Sequence, residues 1–99
     1  MSIPDWMSIR EDTVIFNIPP TRSITYSELP NAVNAAFEYF SKNKTSVIKI
    51  TGRGPIWLYC AVVHAVAHLS RAVAVYDAIF GKYIVVVSHD PNYTIGEVI

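Results

Sequence analysis

Three histidines, one aspartate and one glycine loop are the parts of this 99-residue chain whose types and spacing suit chemistry. His64 and His68 stand four apart in a run, Ile56–Leu69, that reads as a helix, so they share one face. That spacing suits two ligands of a single metal ion. His89 follows the last long apolar run, and Asp77 closes the run Ala72–Tyr76. A cluster of His and Asp can hold a metal such as manganese, or serve as general acid and base. Each residue also has a plain structural use. A histidine on an apolar helix is often a satisfied core or interface residue. His68 lies near the helix end, where the dipole favours a charged imidazole, and Asp77 suits a turn because its carboxylate bonds nearby amides.

The glycine loop is Gly52-Arg53-Gly54-Pro55, with Thr51 just before it. The β-branched run Val47–Thr51 predicts a strand ahead of it, and Ile56–Leu69 predicts a helix after it. Two glycines permit a tight turn and close approach to a ligand, and Pro55 fits the first helical position. Free amides at a helix N-terminus favour an anion, and Arg53 is placed to contact a phosphate or stack on a base. The loop is too short for a Walker A motif and lacks its Lys-Ser/Thr. It also lacks the third glycine of a dinucleotide fingerprint. An ordinary strand-to-helix turn has the same pattern.

The elements that must position these groups follow in order. Met1–Arg10 has no clear period and reads as an arm or a first edge strand. Thr13–Ile18 is β-rich and is stopped by Pro19-Pro20, after which residues 19–26 form a polar connection. A first main helix begins near Ser27–Pro30, with Ser27 as cap and Glu28 in its first turn. Val33, Ala36, Phe37 and Phe40 fall at helical spacing, so they are expected on the core face. Ala72–Tyr76 is apolar on both faces, as in a parallel strand. Lys82–Ser88 returns after a short turn, hence antiparallel, and Thr94–Ile99 is expected to begin a last strand. The pattern predicts one α/β domain over residues 1–99, with a mixed, partly parallel sheet and two main helices joined as crossovers.

Composition narrows the function classes. Eight basic and eight acidic residues balance to zero net charge. A protein coating long DNA or RNA carries a basic excess, so a nucleotide partner here should be short and held at a focused site. Apolar residues make up 52% of the chain, high for one this small, which predicts a homo-oligomer. Cys60 is the single cysteine. It rules out an internal disulfide, fits a reduced cytoplasmic setting, and is expected in the core. No signal-peptide pattern opens the chain, and the longest apolar stretch, Pro55–Leu69, is too short to span a bilayer.

The run Ile50-Thr51-Gly52-Arg53-Gly54-Pro55-Ile56-Trp57-Leu58 resembles the signature of the CRISPR-associated Csx-three ring nucleases of type III systems. Val73-Ala74-Val75-Tyr76-Asp77, Gly81 and Ser88-His89 match the family in order, so the resemblance spans roughly residues 47–99. It implies a Rossmann-like, CARF-like dimer related to sensors of cyclic oligoadenylate. It also implies a manganese-assisted ribonuclease that opens cyclic tetraadenylate. Carried over residue by residue, the family's functional groups are His68, Asp77 and His89 as catalytic residues and metal ligands, with His64 the alternative one turn earlier. Thr51–Pro55 would hold the ligand. The family's arginine two residues after the aspartate is Ile79 here, leaving Arg71 or Lys82 to supply that charge. The same resemblance implies that such a domain can sit within a longer chain. A non-catalytic module binding cyclic oligoadenylate or short RNA is the other reading.

Strand lengths add one expectation. If Ala72–Tyr76 runs parallel to Val47–Thr51, Asp77 lies beside the glycine loop and the helix returns His68 to the far edge. His89 ends the antiparallel strand on that same far edge. A six-residue strand spans roughly 20 Å, so Asp77 and the two histidines cannot meet in one subunit. The site would then be shared between two dimers stacked into a tetramer on the ring.

Overall fold

A computed structural model describes residues 3–99; Met1 and Ser2, the start of the predicted arm, lie outside the described residues. Five strands and two α-helices follow in order: β1 (Met7–Arg10), β2 (Thr13–Asn17), α1 (Leu29–Lys42), β3 (Val47–Arg53), α2 (Ile56–Val66), β4 (Ala72–Asp77) and β5 (Lys82–Ser88). They form one mixed sheet in the order β1-β2-β3-β4-β5. The β2–β3 and β3–β4 pairs are parallel, and both outer pairs are antiparallel. The sheet is therefore the α/β arrangement that the alternation of apolar runs predicts.

Both crossovers step in the same direction across the sheet. Right-handed connections then place α1 and α2 on one face, and the two helices pack on each other. Strand alternation points Val14, Phe16, Ile48, Ile50 and Val73 at that face, where Ala32, Ala36, Phe40, Leu58, Val62 and Val66 close the core. The buried stripe of α1 is Ala32, Ala35, Ala36 and Phe40, and Phe37 is 48% exposed. Phe37 is thus not core. The stripe is rotated away from it because alanines let α1 approach both the sheet and α2.

Helix α1 starts at Leu29, within the expected Ser27–Pro30 and one residue later than a Ser27 cap implies, with Glu28 at the N-cap. A 3-10 turn, Tyr26–Glu28, leads into it, and the Thr25 N–H donates to the Glu28 carboxylate at 3.3 Å. Trp6, 1% exposed, donates its indole N–H to the same carboxylate at 2.9 Å, tying the N-terminal arm to the helix entrance. At the other end of the chain, the expected strand over Thr94–Ile99 reduces to one bridge, Ile84↔Val98. Gly96 at φ 90° and the turn closed by the Glu97 N–H on the Thr94 carbonyl break the extended run. Residues 96–99 still bond the outer edge of β5 through Val85 and Tyr83. Among the described residues no helix is long and apolar enough to cross a membrane.

Candidate functional site

The glycine loop is shorter than its pattern predicts. β3 continues through Gly52 and Arg53, which pair with Phe16 and Asn17 of β2, and the Ile18 N–H adds a bond to the Arg53 carbonyl. Only Gly54 and Pro55 separate strand from helix, and Pro55 is the N-cap of α2 rather than its first residue. The glycines answer first to Phe16. Gly52 has φ +107°, and a Cβ there would overlap the Phe16 carbonyl oxygen. A Cβ at Gly54 would lie 3.0 Å from a Leu58 methyl and 3.3 Å from the Phe16 ring. Close packing of β2 on β3 and α2 therefore explains the glycines without a ligand.

The loop's polar surface remains available. No side chain caps the first turn of α2, and the Tyr59 hydroxyl holds the Gly52 carbonyl. Partial burial raises the Tyr59 phenol above its ordinary range. Arg53 is exposed and makes no salt bridge among the described residues. It lines a cleft of about 440 Å³ with Arg22, Ile24, Gly54, Pro55 and Trp57. This cleft opens beyond the carboxyl ends of the parallel strands β2 and β3, where open α/β sheets bind ligands. The sequence pattern missed Arg22 and Trp57 as its walls. Arg22 lies in a polar connection with no motif, and only the closing of that loop over α2 brings it to Arg53.

Two of the three histidines, His68 and His89, meet at the opposite edge. α2 ends at Val66, so His68 sits in the turn beyond it and does not share a helical face with His64. The His68 and His89 rings stack, with centroids 4.7 Å apart and planes at 24°. The backbone N–H of His89 donates to the Arg71 carbonyl at 2.8 Å, and the Arg71 guanidinium approaches the Asp90 carboxylate at 3.6 Å. His64 is exposed on α2 and is not part of this stack.

Asp77 lies at the loop edge. Its Oδ1 accepts the Ile79 and Phe80 N–H groups at 2.8 and 3.2 Å, which shapes the β4–β5 turn. Oδ2 carries no hydrogen bond among the described residues. Ile79, at the tip of that turn, is 91% exposed, and Lys82 pairs with Asp77 across it. Arg71 is at the histidine edge instead. β4 separates Asp77 from the histidine pair by about 17 Å, five residue steps of a strand.

Both edges lie within the part of the chain that matches a known family. Residues 20–99 match the model of the family described as CRISPR-associated protein (Cas_csx3). The chain belongs to that family. An uncharacterized protein of Aquifex aeolicus (strain VF5) is 33% identical over 91 residues, covering 92% of this chain and 80% of that protein. The Csx-three match begins well before residue 47, so it takes in α1 and the Arg22 loop as well as the loop and histidine motifs.

Manganese can be tested against the donors present. Two stacked imidazoles hold their nitrogen lone pairs in nearly parallel planes, so these do not converge on one ion. Among the described residues no three His, Cys, Asp or Glu side chains come together. Manganese also favours oxygen donors. One chain alone therefore does not fit a resident manganese.

Cys60 is exposed, against the expectation of a core thiol. It borders an apolar groove of about 570 Å³ formed with Ile56, Tyr59, Val63, Val75 and Val86. Among the described residues no third helix covers β5 on this face, so the outer flank of α2 is left open.

Proposed function

We propose that this chain is a ring nuclease that opens cyclic tetraadenylate, using a site shared between two copies. The observation that carries the reading is the separation of two chemistries onto opposite edges of one sheet. The cationic cleft at Arg53 lies at one edge, and the stacked His68–His89 pair lies at the other. A ring held at the cleft edge of one dimer would meet the histidine edge of a second. The open groove beside α2 and the exposed Ile56, Ile79 and Phe80 support association of copies.

The imidazoles supply acid–base chemistry on this reading. One histidine accepts the proton of a ribose 2′-hydroxyl as its oxygen attacks the adjacent phosphorus. The bond from phosphorus to the 5′-oxygen breaks, and the second histidine protonates that leaving oxygen. The products are a 2′,3′-cyclic phosphate and a free 5′-hydroxyl. Arg53 and the amides that open α2 would neutralise charge on the phosphate oxygens. Manganese would need the Asp77 carboxylate of a facing copy.

Incubation with labelled cyclic tetraadenylate at a series of protein concentrations tests this. Activity should rise more than linearly with protein, and His68→Ala or His89→Ala should abolish cleavage while leaving ring binding. Activity per subunit that stays constant on dilution would exclude the shared site. The second reading is a binding module without catalysis, intracellular in setting, taking cyclic oligoadenylate or short RNA. It is favoured by Ile79, an exposed apolar residue where the family resemblance implies an arginine. Wild-type protein that binds the ring and returns it intact would establish it.

A further inference from the structure

Trp57 is a large apolar side chain of the cleft that is left partly open to solvent. Its neighbour Leu58 is fully buried, whereas Trp57, in the first turn of α2, is 37% exposed. The chain's other tryptophan, Trp6, is buried and hydrogen-bonded. The cleft places Trp57 with Ile24 and Pro55, and sets two guanidiniums into the same walls. The two cations differ. Arg22 is committed to Asp5 by a two-pronged ion pair at 2.8 and 3.2 Å, which fixes the outer wall. Arg53 has no such partner among the described residues, so its charge is available to an anion. A half-exposed indole and apolar flanks beside a free guanidinium suit a flat aromatic ring attached to a phosphate. At about 440 Å³ the cleft is in the range of small-molecule sites and has room for one nucleotide.

We propose that Trp57, with Ile24 and Pro55, forms a base-stacking subsite that takes one adenine next to a phosphate gripped by Arg53. This rests on the ring-nuclease reading for the identity of the base, while the stacking itself does not depend on cleavage. Base–aromatic stacking lets the indole hold a base through its π face, without a hydrogen-bond code.

The test uses three probes: adenosine 5′-monophosphate, ribose 5-phosphate and cyclic tetraadenylate. Each is titrated into wild type, Trp57→Ala and Trp57→Phe, with binding heats and tryptophan fluorescence recorded. The adenine-bearing probes should quench wild-type fluorescence, and the quench should vanish in Trp57→Phe, where only the buried Trp6 emits. Trp57→Ala should weaken adenosine 5′-monophosphate by roughly five- to a hundredfold and leave ribose 5-phosphate unchanged. Trp57→Phe should recover most of the loss, because it keeps an aromatic face. Equal binding of the two monophosphates, with Trp57→Ala matching wild type, would overturn the subsite. If the ring is bound and cleaved under that result, the nuclease reading stands and only the subsite falls. If adenosine 5′-monophosphate quenches Trp57 while the ring neither binds nor is cut, the subsite stands and the nuclease reading falls.

Discussion

Replacing Gly52 by alanine should unfold much of what holds the cleft together. The residue sits at φ +107°, where an L side chain is strained by about 1–3 kcal/mol. The added methyl also meets backbone, the carbonyl oxygen of Phe16, rather than a side chain that can rotate away. Relief requires β2 and β3 to part at their carboxyl ends, where Phe16 is 1% exposed in the core. A total cost of about 3 kcal/mol or more follows from strain and lost packing together. For a domain of this size that lowers the melting temperature by about 12–24 °C. Gly54→Ala is the matched control. Its φ is not positive, and its nearest contact is a Leu58 methyl that can shift. Its cost should be smaller, on the order of 1 kcal/mol, the low end for one methyl added to a packed core. Thermal melts followed by circular dichroism would compare the two. If Gly52→Ala melts within a few degrees of wild type, the close approach of β2 does not dictate this glycine, and the ligand becomes its explanation instead.

Three further outcomes are expected from titration and labelling. The Arg22 guanidinium beside Asp5 holds that carboxyl below its ordinary value of 3.8. The pair's contribution is therefore complete above pH 3.8 and is lost as the pH falls through the lower folded value. Carboxyl shifts in an NMR titration should show this midpoint move up in Arg22→Ala. At the other extreme, burial raises the Tyr59 phenol above 10.0, so folded protein retains that proton longer than unfolded chain does. Stability should then be intact below pH 10 and decline as the pH rises through the folded value, with Tyr59→Phe flattening the decline in alkaline melts. Finally, Cys60 should react with a maleimide at a rate near that of the denatured chain in highly diluted native protein, and more slowly as rising protein concentration brings copies together over the groove beside α2. Protection until unfolding at every dilution would mean that the flank of α2 is covered.

The family resemblance and most of the sheet were legible because they are local. Val47–Thr51, Ala72–Tyr76 and Lys82–Ser88 are runs of β-branched and apolar residues with turn signals between them, and each became a strand with nearly those bounds. The parallel and antiparallel senses followed from connection length alone, since a helix separates β3 from β4 while a short turn separates β4 from β5. The split between Asp77 and the histidine edge also needed only strand direction and rise per residue.

What the chain order could not decide were the relations across it. Whether Phe37 or Ala35 faces the core depends on how α1 is rotated against α2, and a stripe with apolar residues on both margins permits either. The exposure of Cys60 depends on the absence of a helix over β5 among the described residues, which no property of α2 itself records. Gly52 and Gly54 carry the same letter in a phosphate loop and in a tight β2–β3 junction; only the position of Phe16 separates the two uses. His68 meets His89 because a turn and a strand end at the same edge, 21 positions apart in sequence. Arg22 and Trp57 share a cleft for the same reason. Local pattern determines which segments form, because hydrogen bonding and side-chain periodicity act over a few residues. Which side chains become neighbours was settled only when those segments packed.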